Sequence, residues 1–508
     1  MKFTLLKYFL LIICLYALFL GAWPVINGDL HFHTDIARDF LLMQEITDKK
    51  IVLIGPRADW KGLFHGPLWL YVNYPAFILS HGNPIAVGWF WIGLTIACAV
   101  AYYFIAKSLF NNVVGIIFSS LFILAMVPYM NSYYNPSGAI LTTPFYFFFA
   151  VKYWETKKIK YLLLHLFYAG IVTQFQLAVG IPFMILSLLW LAYETYKTKN
   201  PRLLLTPLIL LLPLSTFLIF NLRHHFSYIT AIFEHFSSAV THENYSFFEK
   251  LTNRVSVMTS SGLGFFRDGQ VVSVQSLIGY FIAIMTYAVI SNTKNKKRHI
   301  YILFLYFYIG FYVLSFIHSG FVLPHYFLPL TTLPLLIFSS LALYADKRVF
   351  GIFLTIIIVT SLYFSTQEAI HSEAFRGKDK DSWKFQYTVF SDIYKRAKDK
   401  ELGVFIYTPD IYAYSPKYAF AYTRSLHPEK KVFYQEKKHE TFLIYEPPPP
   451  ERMDLDGTFW RETQVKITSQ PIAKTRFPDG YRLEQYHLTK EEISEPSDST
   501  INDWVSQR

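Results

Sequence analysis

Cysteine is almost absent from this sequence, with two residues, Cys14 and Cys98, among 508. Both lie inside apolar runs, where a thiol behaves as a small hydrophobic side chain. The sequence therefore encodes neither a disulfide framework nor a set of thiolate metal ligands.

Charge is also scarce, at 16% of residues, whereas 53% are hydrophobic and 19% aromatic. Soluble chains carry nearer a quarter charged residues, so much of this chain is expected to lie in lipid. The net charge is +11, but the basic residues fall in short clusters between apolar runs. That pattern is typical of membrane orientation, and no nucleic-acid partner is expected.

Apolar segments of bilayer-spanning character predict a polytopic α-helical membrane protein with about 11 transmembrane helices. They cover approximately residues 5–25, 85–106, 113–129, 139–151, 161–179, 181–193, 203–222, 271–290, 300–317, 326–344 and 349–364. The two segments on either side of residues 174–182 are short, so one bent element is an alternative there.

The links between these segments alternate in charge. One set is short and basic, and the positive-inside tendency assigns all of it to the cytoplasm together with the amino terminus. Its members are Lys2, Lys7, Lys107, Lys152, Lys157, Lys158, Lys160, Lys197, Lys199, Arg202, Lys294, Lys296, Lys297, Arg298, Lys347 and Arg348. The protein is thus expected in the plasma (inner) membrane, with its carboxyl-terminal part outside.

The first apolar segment could instead be a cleaved signal peptide, because basic residues precede an apolar core. Trp23 and Pro24 stand where small residues should precede a cleavage site, which favours a retained helix. Residues 1–365 are predicted to form the membrane domain, whose first outer loop is 27–84.

From residue 366 onward the charge rises and the apolar runs shrink to strand length. The segments 403–410 and 441–450 resemble buried strands that end in turns, and 391–400 resembles an amphipathic helix. A small extracytoplasmic α/β domain is predicted over 366–490. The acidic end, 491–508, is expected to be disordered.

The first outer loop holds the densest group of polar residues. On a helix that begins near Thr34, the side chains of Asp35, Arg38 and Asp39 share one face. A carboxylate beside a cation is what a transferase needs to deprotonate an acceptor hydroxyl near an anionic leaving group. An interfacial amphipathic helix with a solvated polar face is the alternative.

Histidines alternate with an acid at His31, His33 and Asp35, as metal ligands on a strand can do, and His65 could complete a set. A divalent cation such as Mg²⁺ or Mn²⁺, held by Asp35 and His33, is one expectation. Ordinary hydrogen bonding at a membrane interface is the other. The run 62–71 suits a second interfacial helix, whose alternative role is anchoring only.

Basic and aromatic residues recur at the outer ends of the apolar segments. Arginine presents a fork of donors that matches phosphate, so Arg223 is a candidate phosphate ligand, although it could simply reach the headgroups. The full set of candidates for a donor phosphate or substrate is Arg38, Arg57, Lys61, His65, Arg223, His224, His325 and Tyr326.

Taken together, five motifs resemble the GT-C class of membrane glycosyltransferases, in the bacterial branch related to protein mannosyltransferases and lipid A aminoarabinose transferases. The motifs are TDIARD (34–39), LIGPRADWKGLFHGPLWLY (53–71), YYNPSG (133–138), FNLRHHF (220–226) and HYFLPL (325–330). The resemblance implies a hexosyl- or pentosyltransferase that moves a sugar, with inversion, from a polyprenyl phosphate or diphosphate to an extracytoplasmic glycan, lipid or protein acceptor.

By that resemblance, Asp35 is the catalytic carboxylate, acting as general base or binding a divalent ion, and Arg38 faces the donor phosphate. His65 falls where relatives carry a lysine, and Arg223 matches the arginine after the seventh span. His325 and Tyr326 occupy positions where many relatives have arginine and tyrosine.

Two departures from the family pattern bear on metal dependence. Ile36 stands where many relatives have a second acid, and Phe64 stands where an acid precedes the lysine. Asp39 or Asp59 could substitute for the missing acids. One competing function is a lipid-linked glycan flippase or transporter, but mid-span charges, typical of transport pathways, are nearly absent. The other is a ligase or polymerase of lipid-linked glycans, which would share the donor chemistry and an outer site.

Overall fold

A computed structural model describes residues 3–58, 60–237, 245–262, 272–318, 320–409 and 412–498. The chain divides into two compact units. Unit 1 comprises residues 1–23, 51–73 and 89–369, and unit 2 comprises 24–50, 74–88 and 370–508. The segment that carries Asp35 therefore belongs to the same unit as the carboxyl-terminal domain.

Apolar helices account for most of unit 1. Helices α1 (Phe3–Ile26), α4 (Pro84–Leu109) and α15 (Lys347–Phe375) each contribute residues to both units. The α-helices that begin and end within unit 1 are α5 (Asn112–Met126), α6 (Asn135–Thr156), α7 (Ile159–Phe175), α8 (Leu177–Thr198), α9 (Ser215–Arg223), α10 (Ser227–Ser237), α11 (Phe247–Val257), α12 (Val272–Ser291), α13 (Arg298–Leu314) and α14 (Thr332–Leu341). Unit 2 contains α2 (Thr34–Lys49), and α3 (Leu68–Leu79) links the units in sequence.

The predicted membrane fold is confirmed. Each of the eleven apolar segments is helical over most of its described residues. Among the described residues, seven helices are long and apolar enough to cross a membrane, or eight if the bent pair Pro201–Leu211 and Ser215–Arg223 is one span. The chain is a multi-pass membrane protein.

The short segments near residues 174–182 form two helices rather than one bent element. Helix α7 ends at Phe175, and Gln176 is extended, with φ −151° and ψ 111°. Helix α8 begins at the next residue and packs against α7. The break leaves the amino-terminal end of α8 available for side-chain capping.

A five-stranded sheet organises the carboxyl-terminal part of unit 2. Its strands are β1 (Glu401–Tyr407), β2 (Lys431–Tyr434), β3 (Glu440–Tyr445), β4 (Ala473–Arg476) and β5 (Arg482–His487), in the spatial order 2-1-3-5-4. The first three strands are parallel and β5 is antiparallel to β3. Both predicted strands and the α/β character are borne out.

Helices α16 (Trp383–Arg396) and α17 (Tyr414–Leu426) pack against each other, and α17 also packs against α2. Of the amphipathic helix predicted at 391–400, residues 391–396 are helical and form the second part of α16, which ends at Arg396. Its earlier start follows from Ser382, whose side chain caps the helix by accepting from the Phe385 N–H.

The expected disorder of the acidic end is wrong for its first residues, because helix α18 (Lys490–Ser494) is ordered. Glu492 accepts hydrogen bonds from Thr468, Ser469 and Thr489. These bonds hold the pKa of Glu492 at about 2 despite burial. The last ten residues, 499–508, lie outside the described part of the chain.

Candidate functional site

The predicted helix around Asp35 is formed in unit 2, as α2. The Nη1 of Arg38 donates to Oδ1 of Asp35 at 2.7 Å, and its Nη2 lies 3.5 Å from Oδ1 of Asp39. Burial opposes the charge of Arg38, but the two carboxylates outweigh it and raise the pKa of the guanidinium.

Exposure differs sharply within this trio. The side chain of Asp35 is 43% exposed, whereas those of Arg38 and Asp39 are 12% and 5% exposed. Asp35 is therefore accessible from solvent, whereas its contact with the guanidinium of Arg38 is on the buried side. Arg38 thus contacts Asp35 directly, and its expected contact with the donor phosphate stays a prediction.

The metal site expected from Asp35 and His33 is not formed by these side chains. The Nδ1 of His33 accepts from the Asp35 N–H at 3.3 Å and so caps α2, while Asp35 is engaged by Arg38. Within the described ranges, no group of three or more His, Cys, Asp or Glu side chains is arranged to hold a metal ion. Asp59, a candidate substitute, lies outside those ranges.

In unit 1, residues 55–66 form a hairpin, which we call the basic hairpin. The Gly55 N–H donates to the His65 carbonyl at 2.8 Å, and the His65 N–H donates to the Pro56 carbonyl at 2.8 Å. Arg57 pairs with Phe64 across it. The interfacial helix predicted over 62–71 therefore begins only at Leu68, because Gly62, with φ +81°, belongs to the turn.

Tyr228 of α10 secures this hairpin. Its hydroxyl accepts from the Phe64 N–H at 2.8 Å and donates to the Phe64 carbonyl. The ring lies in a small apolar cluster with Ile54, Leu63 and Ala231. Arg57 and Lys61 are thus exposed side chains on a backbone that is held in place.

His65 links the basic hairpin to the break between α7 and α8. Its Nδ1 accepts a long hydrogen bond, 3.4 Å, from the N–H of Leu177, the first residue of α8. The adjacent Gly66 donates its N–H to the Gln174 carbonyl at 2.8 Å, and a Cβ at Gly66 would lie 1.9 Å from Oε1 of Gln174. Since Nδ1 accepts, the proton of the neutral imidazole is assigned to Nε2.

The same break contacts the segment that carries His325 and Tyr326. Gln176, which is 1% exposed, donates from Nε2 to the His325 carbonyl at 3.2 Å. The rings of His325 and Tyr326 lie 4.5 Å apart. The break therefore brings together two predicted site segments that are 260 positions apart, His65 and His325.

Arg223 and His224 end α9 and are exposed, as expected of residues at the end of an apolar helix. The ring of His224 packs on Phe220 at 4.3 Å, and Phe220 contacts both Phe64 and Tyr228. His224 therefore lies beside the basic hairpin.

Arg254 on α11 is a candidate that the sequence predictions missed. It is 0% exposed, and its Nη2 donates to the carbonyls of His318 at 2.8 Å and Ser315 at 3.3 Å. The guanidinium lies 5.2 Å from the centre of the Phe316 ring. No carboxylate pairs with Arg254 in the parts of the chain described above, and burial lowers its pKa.

Asn253, the neighbour of Arg254, joins α11 to the segment that precedes His325. The Asn253 side chain accepts from the Val322 N–H at 2.9 Å and donates to the Val322 carbonyl at 3.4 Å. Arg254 is therefore held against the chain that leads to His325. The capping box of Ser246 and Glu249 could have predicted a helix here, but burial of Arg254 follows from tertiary packing alone.

No protein-family model matches the chain, and no curated protein matches it by sequence. Solved structures do match. ArnT from Cupriavidus metallidurans, in the crystal structure with undecaprenyl phosphate, has a TM-score of 0.62 at 11% identity, covering 98% of this chain and 100% of that chain.

The apo crystal structure of the same ArnT has a TM-score of 0.61 at 11% identity and covers 95% of this chain and 98% of that one. An oligosaccharyltransferase from Archaeoglobus fulgidus has a TM-score of 0.45 at 9% identity, with 88% and 71% covered. The match to ArnT extends over the membrane helices and the carboxyl-terminal sheet. The chain thus has the fold of the GT-C membrane glycosyltransferases, as its sequence motifs predicted.

Proposed function

We propose that this protein is a membrane glycosyltransferase that moves a sugar from a polyprenyl phosphate or diphosphate to a glycan, lipid or protein acceptor. The observation that carries the proposal is the fully buried Arg254, whose partners among the described residues are carbonyl, amide and aromatic groups. A buried cation is costly unless an anion neutralises it. A lipid-linked phosphate is an anion whose headgroup lies at a membrane interface.

The other polar candidates of unit 1 support the same assignment. Arg57, Lys61 and His65 lie on the basic hairpin, while His224 packs beside it and Gln176 joins His65 to His325 through the helix break. Arg223 follows on α9, and Tyr326 supplies a hydroxyl. These residues are proposed to bind the donor phosphate, whose charge grows as the sugar leaves.

Asp35 is proposed as the general base. An acceptor hydroxyl attacks the anomeric carbon from the face opposite the phosphate, the bond from carbon to phosphate oxygen breaks, and the acceptor proton passes to Asp35. One displacement of this kind inverts the anomeric carbon. The exposed position of Asp35 and its fixed contact with Arg38 support this role.

No step is assigned to a divalent cation, because His33 and Asp35 are committed to the helix cap and to Arg38. The predicted placement of the protein remains part of the proposal: the plasma (inner) membrane, with the site on the extracytoplasmic face. The transferred sugar is proposed to be a hexose or a pentose.

The proposal is tested with the full-length protein in liposomes and a panel of undecaprenyl-phosphate-linked hexoses and pentoses. The measured quantity is undecaprenyl phosphate released from the donor, with an added lipid or glycan acceptor. Donor cleavage for at least one sugar is expected. Transfer of intact donor across the bilayer without cleavage would instead identify a flippase and overturn the proposal.

A further inference from the structure

The segment just ahead of α2 is held by the carboxyl-terminal part of unit 2. Asp29, which is 2% exposed, accepts on Oδ2 from the Ser382 hydroxyl at 2.6 Å. Its Oδ1 accepts from the backbone N–H groups of Leu30 at 2.8 Å and Lys384 at 3.0 Å. Asp29 therefore joins the end of α1 to the start of α16.

Backbone hydrogen bonds continue this junction toward the catalytic candidate. The Phe32 N–H donates to the Asp381 carbonyl at 2.5 Å, and the Trp383 N–H donates to the Leu30 carbonyl at 3.1 Å. On the other side, the Ser415 hydroxyl donates to the Phe32 carbonyl at 3.0 Å. Residues 29–32, which we call the anchor segment, are thus fixed by groups from α16 and α17.

An aromatic socket fixes the last residue of the anchor segment. Phe32 is 0% exposed, and its ring lies 5.0 Å from Trp383, 5.4 Å from Phe40 and 5.7 Å from Tyr418. The ring of Phe40, on α2, lies 5.1 Å from that of Tyr418, on α17. These four rings therefore fix both the position at which α2 begins and the packing of α2 on α17.

From these contacts we infer that Asp29 and the α16–α17 layer are positioning elements for Asp35, so that the carboxyl-terminal domain takes part in catalysis. This inference rests on the proposed function of Asp35. Asp35 follows the anchor segment by three residues and lies in the first turn of α2. A shift of the anchor segment would therefore move Asp35 as well. A catalytic group displaced by about 1 Å can lose on the order of 100-fold in rate.

The hydrogen-bond pattern makes Asp29 sensitive to an almost isosteric change. The Ser382 oxygen already accepts from the N–H groups of Gly377 at 2.9 Å and Phe385 at 3.2 Å. Its single hydrogen is therefore left for Asp29. In Asp29→Asn, the amide oxygen can keep the hydrogen bonds from the N–H groups of Leu30 and Lys384. The amide nitrogen would then face the Ser382 hydroxyl oxygen, whose two lone pairs already accept hydrogen bonds.

Asp29→Asn is the test, with Asp48→Asn as its matched control. Asp48 lies on α2, the helix that carries Asp35, is exposed, and undergoes the same chemical change. We expect Asp29→Asn to lower kcat by about 10- to 100-fold, to leave the affinity for undecaprenyl phosphate unchanged, and to speed hydrogen exchange in the first turn of α2. A kcat within twofold of wild type, or unchanged exchange, would overturn the inference.

A second variant keeps the test decisive if Asp29→Asn does not fold. Ser415→Ala removes one hydroxyl donor to Phe32, and a several-fold lower kcat with unchanged lipid affinity is expected. Wild-type kcat and exchange in Ser415→Ala would then overturn the inference. An active Asp35→Asn enzyme would instead refute the proposed function, whereas an inactive one beside unaffected anchor variants would refute only the positioning role.

Discussion

The hydroxyl of Ser382 donates to the carboxylate of Asp29 at 2.6 Å, although the two residues are 353 positions apart. The bond is buried on both sides, since Ser382 is 0% and Asp29 is 2% exposed. Together with the Phe32–Ser415 bond, which spans 383 positions, it links the segment ahead of α2 to the carboxyl-terminal part of the chain. The amino-terminal catalytic candidate and the carboxyl-terminal sheet are therefore parts of one folded unit.

Arg254 is expected to bind the donor phosphate. Replacement by Gln removes the charge and should weaken binding of undecaprenyl phosphate at least tenfold, since hydrogen bonds to charged groups contribute about 1.5–3 kcal/mol each. Binding to the purified protein in detergent is the measurement. Arg202→Gln, at an exposed position, is the matched control. Equal affinity of a folded Arg254→Gln protein would remove Arg254 from the site.

His65 is expected to serve two separable functions. In His65→Asn, the amide oxygen can replace Nδ1 as acceptor for the Leu177 N–H, so the melting temperature should stay near that of wild type. Affinity for undecaprenyl phosphate should nevertheless fall, because the Nε2 donor is lost. His65→Ala should lower both the melting temperature and the lipid affinity, since a helix cap contributes about 1 kcal/mol to stability. Undiminished lipid affinity in His65→Asn would confine His65 to the cap.

Tyr228 is expected to hold the basic hairpin in shape. Tyr228→Phe leaves the Phe64 N–H and carbonyl without their hydroxyl partner, at a cost of about 1–3 kcal/mol for each buried unpaired group. Hydrogen exchange over residues 55–66 should accelerate, and lipid affinity should fall. Tyr196→Phe, at a side chain that is 84% exposed, should behave as wild type. Unchanged exchange in Tyr228→Phe would contradict this role.

Asp381 is expected to make stability depend on pH. Burial, together with the acids Asp379, Glu446 and Asp479 and against the opposing charge of Lys380, raises its pKa to about 6. An unfolded aspartate titrates near 3.9. Between about pH 4 and pH 6 the folded state therefore binds more protons than the unfolded state, and stability falls as the pH rises.

Asp381→Asn should abolish the fall in stability between about pH 4 and pH 6, because the amide stays neutral. Its melting temperature in detergent should exceed that of wild type at pH 7.5, and the gap should shrink toward pH 4.5. A gap that is the same at both pH values would show that the titration of Asp381 does not govern it.

Much of the fold was predictable because lipid imposes simple rules. Long apolar runs gave all eleven helical segments, and the fall in apolar run length at residue 366 marked the α/β domain. Whether α7 and α8 are two helices or one bent element was left open, because composition does not show that Gln176 is extended. The hairpin 55–66 was missed since its bonds to Tyr228 and Gln174 are tertiary.

Site residues were predictable by type rather than by role. Spacing placed Asp35, Arg38 and Asp39 on one helical face, and the structure shows that Arg38 contacts both acids. Spacing also suggested His33 as a metal ligand, whereas its ring caps the helix. Arg254 and Asp29 carried no local signal, because only burial distinguishes them from surface charges.

The central claim is that Asp35 removes the acceptor proton in a glycosyl transfer, and Asp35→Asn tests it most directly. The variant keeps size and cap geometry, so it should fold, bind undecaprenyl phosphate as wild type does, and lose about 10²- to 10⁴-fold in transfer rate. Asp48→Asn should retain the full rate. Transfer by a folded Asp35→Asn protein at a rate near wild type would contradict the account.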